Sequence, residues 1–222
     1  MQNYFQRQIE LWGEEKQQLL STKRVVIIGC GGLGSSLVMA LSGVGLKELH
    51  LVDFDEVSLH NIHRQISFTL EDEGKNKAKV NGTLIQKRTF FTQSFSYECD
   101  FLAWSKKGIE VDLIVDATDN LQTRSEIDNY AKEKKLPWVY GSVEAFVGQV
   151  AFIEESSFND AFKITAKTPQ GIAAPMVMHI ASLQANLALR YLIDLPLKKD
   201  TLYYLFFNAE GDFVTQKFAL PK

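Results

Sequence analysis

The sequence is poor in cysteine, with two in 222 residues, Cys30 and Cys99. That excludes a disulfide framework and is too few for a four-thiolate zinc site, so a reducing cytoplasm is the expected compartment. Long apolar runs are missing as well. Met1 to Leu20 breaks its apolar residues with Gln, Arg and Glu, which leaves no signal-peptide core, and no later segment approaches membrane-spanning length. Neither export nor a membrane partner is expected. Nor is there an excess of positive charge: 24 basic against 27 acidic residues give a formal net charge of -3, so no bulk electrostatic term favours nucleic acid. Internal repeats, low-complexity tracts and interdomain linkers are absent. With 45% hydrophobic residues the chain can bury one substantial core, and a single domain over residues 1–222 is expected.

What is present is alternation of strand and helix patterns. Arg24 to Ile28 (RVVII) is β-branched and runs directly into glycines, the pattern of a buried parallel strand feeding a turn. Leu33, Leu37, Leu41 and Val44 then recur at helical spacing, with Gly43 and Gly45 as a stop. Glu48–Asp53, Ser94–Glu98 and Val111–Asp116 read as strands, and Lys75–Thr89 and Asn120–Lys135 as helices. Pro137–Gly141 and Gly148–Glu154 continue the sheet. Glu155–Ala174 loses periodicity and reads as a long loop, either a lid that guides substrate or a plain connector. Met176–Ile193 is a long, mostly buried helix, and Leu202–Phe207 and Phe213–Phe218 close a hairpin around Asn208–Asp212. This order predicts an α/β, Rossmann-like fold whose mixed sheet is parallel in its N-terminal part and antiparallel at its C-terminal strands, with helices on both faces.

The turn Gly29-Cys30-Gly31-Gly32-Leu33-Gly34 leaves a strand and opens a helix, the setting in which glycines bring backbone amides against phosphate oxygens. Asp53 follows Gly29 by 24 positions, at the end of the second strand, where a carboxylate accepts from ribose hydroxyls. Beyond it the chain becomes charged. Arg64 and Lys77 are cations placed to face a triphosphate, and Asp116-Ala117-Thr118-Asp119-Asn120, with Arg124, is an acidic turn at the ligand-binding edge of the sheet. Asp116 has the spacing to cap the Asn120 helix or brace the turn, and Arg64 and Arg124 could serve structural ion pairs. His60, His63 and His179 lack partners at ligand spacing and His50 lies in a strand pattern, so none is read as a metal ligand.

Arg7-Gln8-Ile9 with Leu11 and Gly13, then GCGGLG, DFDEV, NIHRQ, GKNK, DATDN with Arg124, and Gly148-Gln149 occur in order along nearly the whole chain. Together they resemble the ThiF/MoeB family, the bacterial relatives of ubiquitin-activating enzymes. The resemblance implies an adenylyltransferase that uses ATP and Mg²⁺ to adenylate the C-terminal glycine of a small ubiquitin-like carrier ending in Gly-Gly, releasing pyrophosphate, as in thiamine or molybdopterin biosynthesis. By that resemblance Gly29, Gly31, Gly32 and Gly34 cradle the nucleotide and Asp53 binds its ribose. Asn61, Arg64 and Lys77 grip the phosphates, with Asp55, Gln65 and Asn120 beside them, and Asp119 holds the metal. Arg7 would reach across a homodimer into the neighbouring site. The paired CxxC motifs of many relatives are missing, and so is a cysteine within Glu155–Ala174. The expectation is therefore no zinc site, no covalent carrier intermediate, and a separate protein as sulfur donor.

Three other readings share some of these residues. A tRNA-nucleoside dehydratase of the same superfamily would use the same ATP residues but lacks a basic run to follow RNA. An NAD-dependent dehydrogenase is favoured only by the glycine turn and Asp53. A catalytically inactive scaffold would not need to keep Arg64, Lys77 and Asp119.

Overall fold

Arg24–Ile28 forms the first strand, β1, and it lies in the middle of the sheet: Val25, Val26, Ile27 and Ile28 are all buried, as a strand covered on both faces requires. The computed structural model, which describes residues 2–162 and 171–222, arranges eight strands in one sheet. The others are β2 (Glu48–Val52), β3 (Gln93–Tyr97), β4 (Leu113–Asp116), β5 (Trp138–Glu144), β6 (Val147–Ile153), β7 (Thr201–Phe207) and β8 (Phe213–Ala219). Their spatial order is β3-β2-β1-β4-β5-β6-β7-β8. The first five in that order are parallel neighbours, and β5 through β8 pair antiparallel. The strand order reverses between β1 and β4, which opens a crevice at their C-terminal ends.

Period-two alternation along the strands feeds two separate cores. Val25 and Ile27 of β1, with Leu113 and Val115 of β4, pack against α2 (Gly32–Leu41), α3 (Lys77–Arg88) and α7 (Ala174–Leu192). Val26, Ile28 and Ile114 point the other way, to Phe101 and Trp104 of α4 (Phe101–Ser105), Ile127 of α5 (Leu121–Lys134) and Phe158 of α6 (Phe158–Ala161). Each fully buried aliphatic side chain contributes roughly 1.5–3 kcal/mol. Helices therefore cover both faces, as expected, and every anticipated strand forms within a few residues of its sequence boundaries, including the Ser94–Glu98 segment, which is the edge strand β3.

Two features lie outside the sequence reading. Residues Gln2–Leu20 form a helical run, α1, broken at Gly13, whose φ of 86° no helix tolerates. The expected Glu155–Ala174 loop contains α6 and an isolated bridge from Ile172 to Ala145. Residues 163–170, the middle of that loop, lie outside the described residues.

Candidate nucleotide site

A cleft of about 960 Å³ opens at the C-terminal ends of the parallel strands, where β1 and β4 part. Its floor is the glycine turn. Gly29 has φ 91°, and a Cβ there would fall 2.7 Å from the Ala117 carbonyl oxygen, so only glycine lets β1 turn this close to β4. A Cβ on Gly34 would stand 2.0 Å from the Gly29 carbonyl oxygen; this residue lets α2 pack onto the turn. Gly34 does not line the cleft, whereas Gly29, Gly31 and Gly32 do. No side chain caps α2, so the first amides of a helix with a positive N-terminal dipole are left for a ligand.

Asp53 stands just past β2. Its Oδ2 accepts from the Cys30 amide at 2.6 Å and its Oδ1 from the Asp55 amide at 2.8 Å. Burial raises its pKa and these two amides oppose the shift. Asn76 holds the same loop from below: its Nδ2 donates to the Asp53 and Asp55 carbonyls while its Oδ1 caps α3. The next residue, Lys77, sends its buried side chain to Asp55, with Nζ to Oδ2 at 2.9 Å.

Arg64 ends a short 3-10 turn, Leu59–Arg64, and lines the cleft. Its Nη2 donates to Asn61 Oδ1 at 2.8 Å and its Nη1 to His63 Nε2 at 3.0 Å. Neither contact is to a carboxylate, and among the described residues no carboxylate pairs with Arg64, so its charge is left for the cleft. Gln65 is buried beside the turn with its Oε1 unpartnered among the described residues. Asn61, Arg64, Gln65, Lys77, Asp53, Asp55, Asp119 and Asn120 are thus brought to one cavity, although Asn120 also caps α5 by accepting from the Thr123 amide. Arg7 is not among the lining residues. Its side chain is 91% exposed on α1 and pairs with Glu10.

Across from the glycine turn, Asp116 at the end of β4 is fully buried. Its carboxylate accepts from the Thr118 amide, the Thr118 hydroxyl and Arg124 Nε. Burial pushes the Asp116 carboxyl up, while the Arg124 guanidinium and Thr118 pull it back; three donors hold it as the ionised partner of Arg124. Of the two roles the sequence offered Asp116, the helix cap is filled by Asn120, and the brace of the turn is what Asp116 does through Thr118. Asp119 projects from the turn, exposed, with no hydrogen bond or ion pair to another described residue. An exposed carboxylate without a hydrogen-bond partner among the described residues, at the mouth of a cleft, is the kind of group that could hold Mg²⁺, which takes one or two carboxylates and keeps the rest of its shell for other oxygens and water. Among the described residues no cluster of three or more His, Cys, Asp or Glu forms a protein cage for a metal.

Sequence reasoning missed Asn76, Ser142 and Glu144 as parts of this region. Ser142 and Glu144 were findable, since β5 continues past Gly141 and its end faces the same edge. Asn76 carried no signal beyond its place in GKNK.

Similarities to known families, curated proteins and solved structures bear on the family and fold of the chain. The ThiF family model matches residues 5–221. The sulfur carrier protein adenylyltransferase of Thermus thermophilus is 34% identical over 143 residues, which is 63% of this chain and 52% of that protein. The adenylyltransferase and sulfurtransferase MOCS3 of Dictyostelium discoideum is 31% identical over 78% of this chain and 44% of its own length. The sulfur carrier protein ThiS adenylyltransferase of Escherichia coli is 29% identical over 79% of this chain and 74% of its own. The chain thus spans about half the length of the first two relatives. Among solved structures, E. coli MccB with ATP superposes with a TM-score of 0.82 at 20% identity, covering 99% of this chain and 72% of that one. PaaA gives 0.84 at 20%, covering 100% and 74%. Fold, ordered motifs and family match converge on one conclusion: the chain belongs to the ThiF family.

Proposed function

We propose that residues 1–222 form an adenylation unit that uses Mg-ATP to activate the C-terminal carboxylate of a small ubiquitin-like carrier ending in Gly-Gly. The observation that carries this reading is the gathering of the open α2 N-terminus, Arg64 with no carboxylate partner among the described residues, buried Lys77 and exposed Asp119 around one cleft. The names of the relatives, adenylyltransferases of sulfur carrier proteins, support the same chemistry, and the solved MccB structure with ATP supports the nucleotide.

In the reaction a carrier carboxylate oxygen attacks the α-phosphorus. The bond to the oxygen bridging to the β-phosphate breaks, and pyrophosphate leaves with that electron pair, giving an acyl adenylate. An anion must approach a polyanion, so the dominant task is charge screening, and no nucleophilic side chain is required. Arg64 and Lys77 supply it from the protein, with the α2 amides under the phosphates. Asp53, already fixed by two amides, is placed to accept from ribose hydroxyls. Asp119 would hold Mg²⁺, which adds charge neutralisation at the phosphates when bound. Arg7, exposed on α1, would complete the neighbouring site in a homodimer. Neither cysteine lies within Glu155–Ala174, so we assign transfer of sulfur to a donor outside residues 1–222.

The test is exchange of pyrophosphate into ATP with a Gly-Gly-ended carrier. Exchange is expected to require the carrier and to vanish when its last glycine is removed; exchange that persists with the truncated carrier excludes the proposed acceptor.

A further inference from the structure

Asp119 makes no hydrogen bond or ion pair with a described residue and feels the Arg124 guanidinium only through its charge, so the position of its carboxylate is set by the backbone that carries it. That backbone is held by one residue more than any other. Arg124 is 5% exposed, and its guanidinium reaches three separate elements: Nε donates to Asp116 Oδ2 at 3.1 Å, and Nη2 donates to the Thr118 carbonyl at 2.6 Å and to the Gly141 carbonyl at 3.0 Å. It also lies over the Tyr140 ring at 5.2 Å. One planar fork therefore joins the end of β4, the turn after it and β5. Thr118, next to Asp119, is clamped at its amide and hydroxyl by Asp116 and at its carbonyl by Arg124.

A second arm comes from α7. Gln184 is fully buried, and its Nε2 donates to the Asp116 carbonyl at 2.6 Å. It also sits so close to β5 that a Cβ on Gly141 would come within 2.3–2.6 Å of its amide atoms. Its Oε1 has no partner among the described residues. An unpaired amide oxygen in an apolar interior lowers stability, so packing alone does not account for this side chain.

We infer that Arg124 is a positioning residue for the Asp119 carboxylate, braced from the opposite face by Gln184, so that the metal-facing turn and β5 keep a fixed separation. The inference rests on the adenylation reading of the cleft. A lysine would keep the ion pair with Asp116 but cannot donate to two carbonyls in the same plane. Charge and position are therefore separable by mutation.

Arg124→Lys, Arg124→Gln and Gln184→Leu are compared with the unmodified protein in two measurements. Calorimetry gives ATP affinity with Mg²⁺ and with EDTA; amide hydrogen exchange on the ligand-free protein reads Thr118 to Leu121. Arg124→Lys is expected to lose about tenfold of the Mg²⁺-dependent gain in ATP affinity, the usual loss when a group supporting a metal ligand is removed, with metal-free ATP affinity unchanged. The turn amides should exchange faster in both Arg124→Lys and Gln184→Leu. If Arg124→Gln fails to fold, those two variants decide the matter. A lower melting temperature with the Mg²⁺ gain intact, or turn amides exchanging at the unmodified rate, overturns the positioning role and leaves the adenylation reading standing. An unmodified protein whose ATP affinity ignores Mg²⁺ overturns the adenylation reading and this inference together.

Discussion

The ammonium of Lys77 and the carboxylate of Asp55 meet at 2.9 Å, the lysine side chain 7% exposed and the aspartate 52%. The buried cation thus has a counterion standing on the solvent side of the cleft, where a phosphate would arrive. Asp55→Asn removes the only carboxylate bonded to that ammonium among the described residues and leaves Asp53 as its more distant counterion, and the ligand-free protein should lose about 1–2 kcal/mol. The same change removes a competitor for Lys77, so the rise in melting temperature caused by Mg-ATP should exceed that of the unmodified protein. Thermal unfolding with and without nucleotide measures both, and an unchanged or smaller rise would refute the competition.

Two glycines of the turn should separate packing from binding. In Gly34→Ala the new methyl meets the Gly29 backbone at 2.0 Å, whereas in Gly31→Ala the nearest atom is Gln65 Nε2 at 3.5 Å. Gly34→Ala is expected to cost about 3 kcal/mol, at the severe end of overpacking. Gly31→Ala should stay within about 0.5 kcal/mol of the unmodified protein yet bind ATP more weakly, because its methyl lies at the cleft wall. Denaturant titration and calorimetry distinguish them; similar stabilities for the two variants would contradict the geometry.

Asp119→Asn removes a charge that makes no hydrogen bond or ion pair among the described residues and interacts with Arg124 only at a distance. Carrier-dependent exchange should fall by about 10²–10³, the range for loss of one electrostatic group at a reacting phosphate or carbonyl, with the melting temperature unmoved. A variant that loses stability in step with activity would assign Asp119 a structural duty instead.

His50 gives the fold a pH dependence away from the cleft. Burial lowers its pKa, and its ring bridges Tyr97 and Glu48: the Tyr97 hydroxyl sits 3.0 Å from Nδ1 and Glu48 Oε2 sits 3.1 Å from Nε2. A neutral ring protonated at Nε2 satisfies both. The native state binds fewer protons here than the unfolded chain, so the contribution is complete above the ordinary imidazole value of about 6.5 and is lost as pH falls below it. Glu48, held low against its burial by His50 and Arg24, yields its share only at more acidic pH. His50→Gln keeps a donor toward Glu48 and should flatten the stability profile just below 6.5. Melting temperatures over that range check it, and an unaltered slope would dismiss His50 as the source.

Asp128 anchors the start of the Glu155–Ala174 segment, from Ser157 to Asn159. Fully buried on α5, it accepts from Lys132 Nζ, the Ser157 hydroxyl, the Phe158 amide and Asn159. Asp128→Ala should cost about 3 kcal/mol and speed proteolysis between Ser157 and Phe162. Unchanged cleavage there would count against the tether.

Much of this was legible because it rests on local grammar. The Arg24–Ile28 run, the glycine turn and the leucines at helical spacing each declare one element, and their order declares the sheet. Arg64, Lys77 and Asp119 were assigned their roles through the family resemblance, and they do line one cleft at the C-terminal ends of the parallel strands. Helix α1 was hidden because its polar residues outnumber the few positions, such as Phe5 and Leu20, that it buries. Gln184 was hidden for the opposite reason: one amide in an apolar helix looks like noise until its partner, a backbone carbonyl 68 residues away, is in view. Asp116 and Arg124 were each visible, but their pairing depends on how a turn folds back, which spacing alone does not specify.

The helix that begins at Gly32 starts without a side chain to close its first turn. Until an anion settles there, several peptide groups at the heart of the molecule have only water to answer them. Nucleotide occupancy would then be a structural quantity as well as a catalytic one, and the resistance of this protein to heat and proteases should rise and fall with the supply of triphosphate.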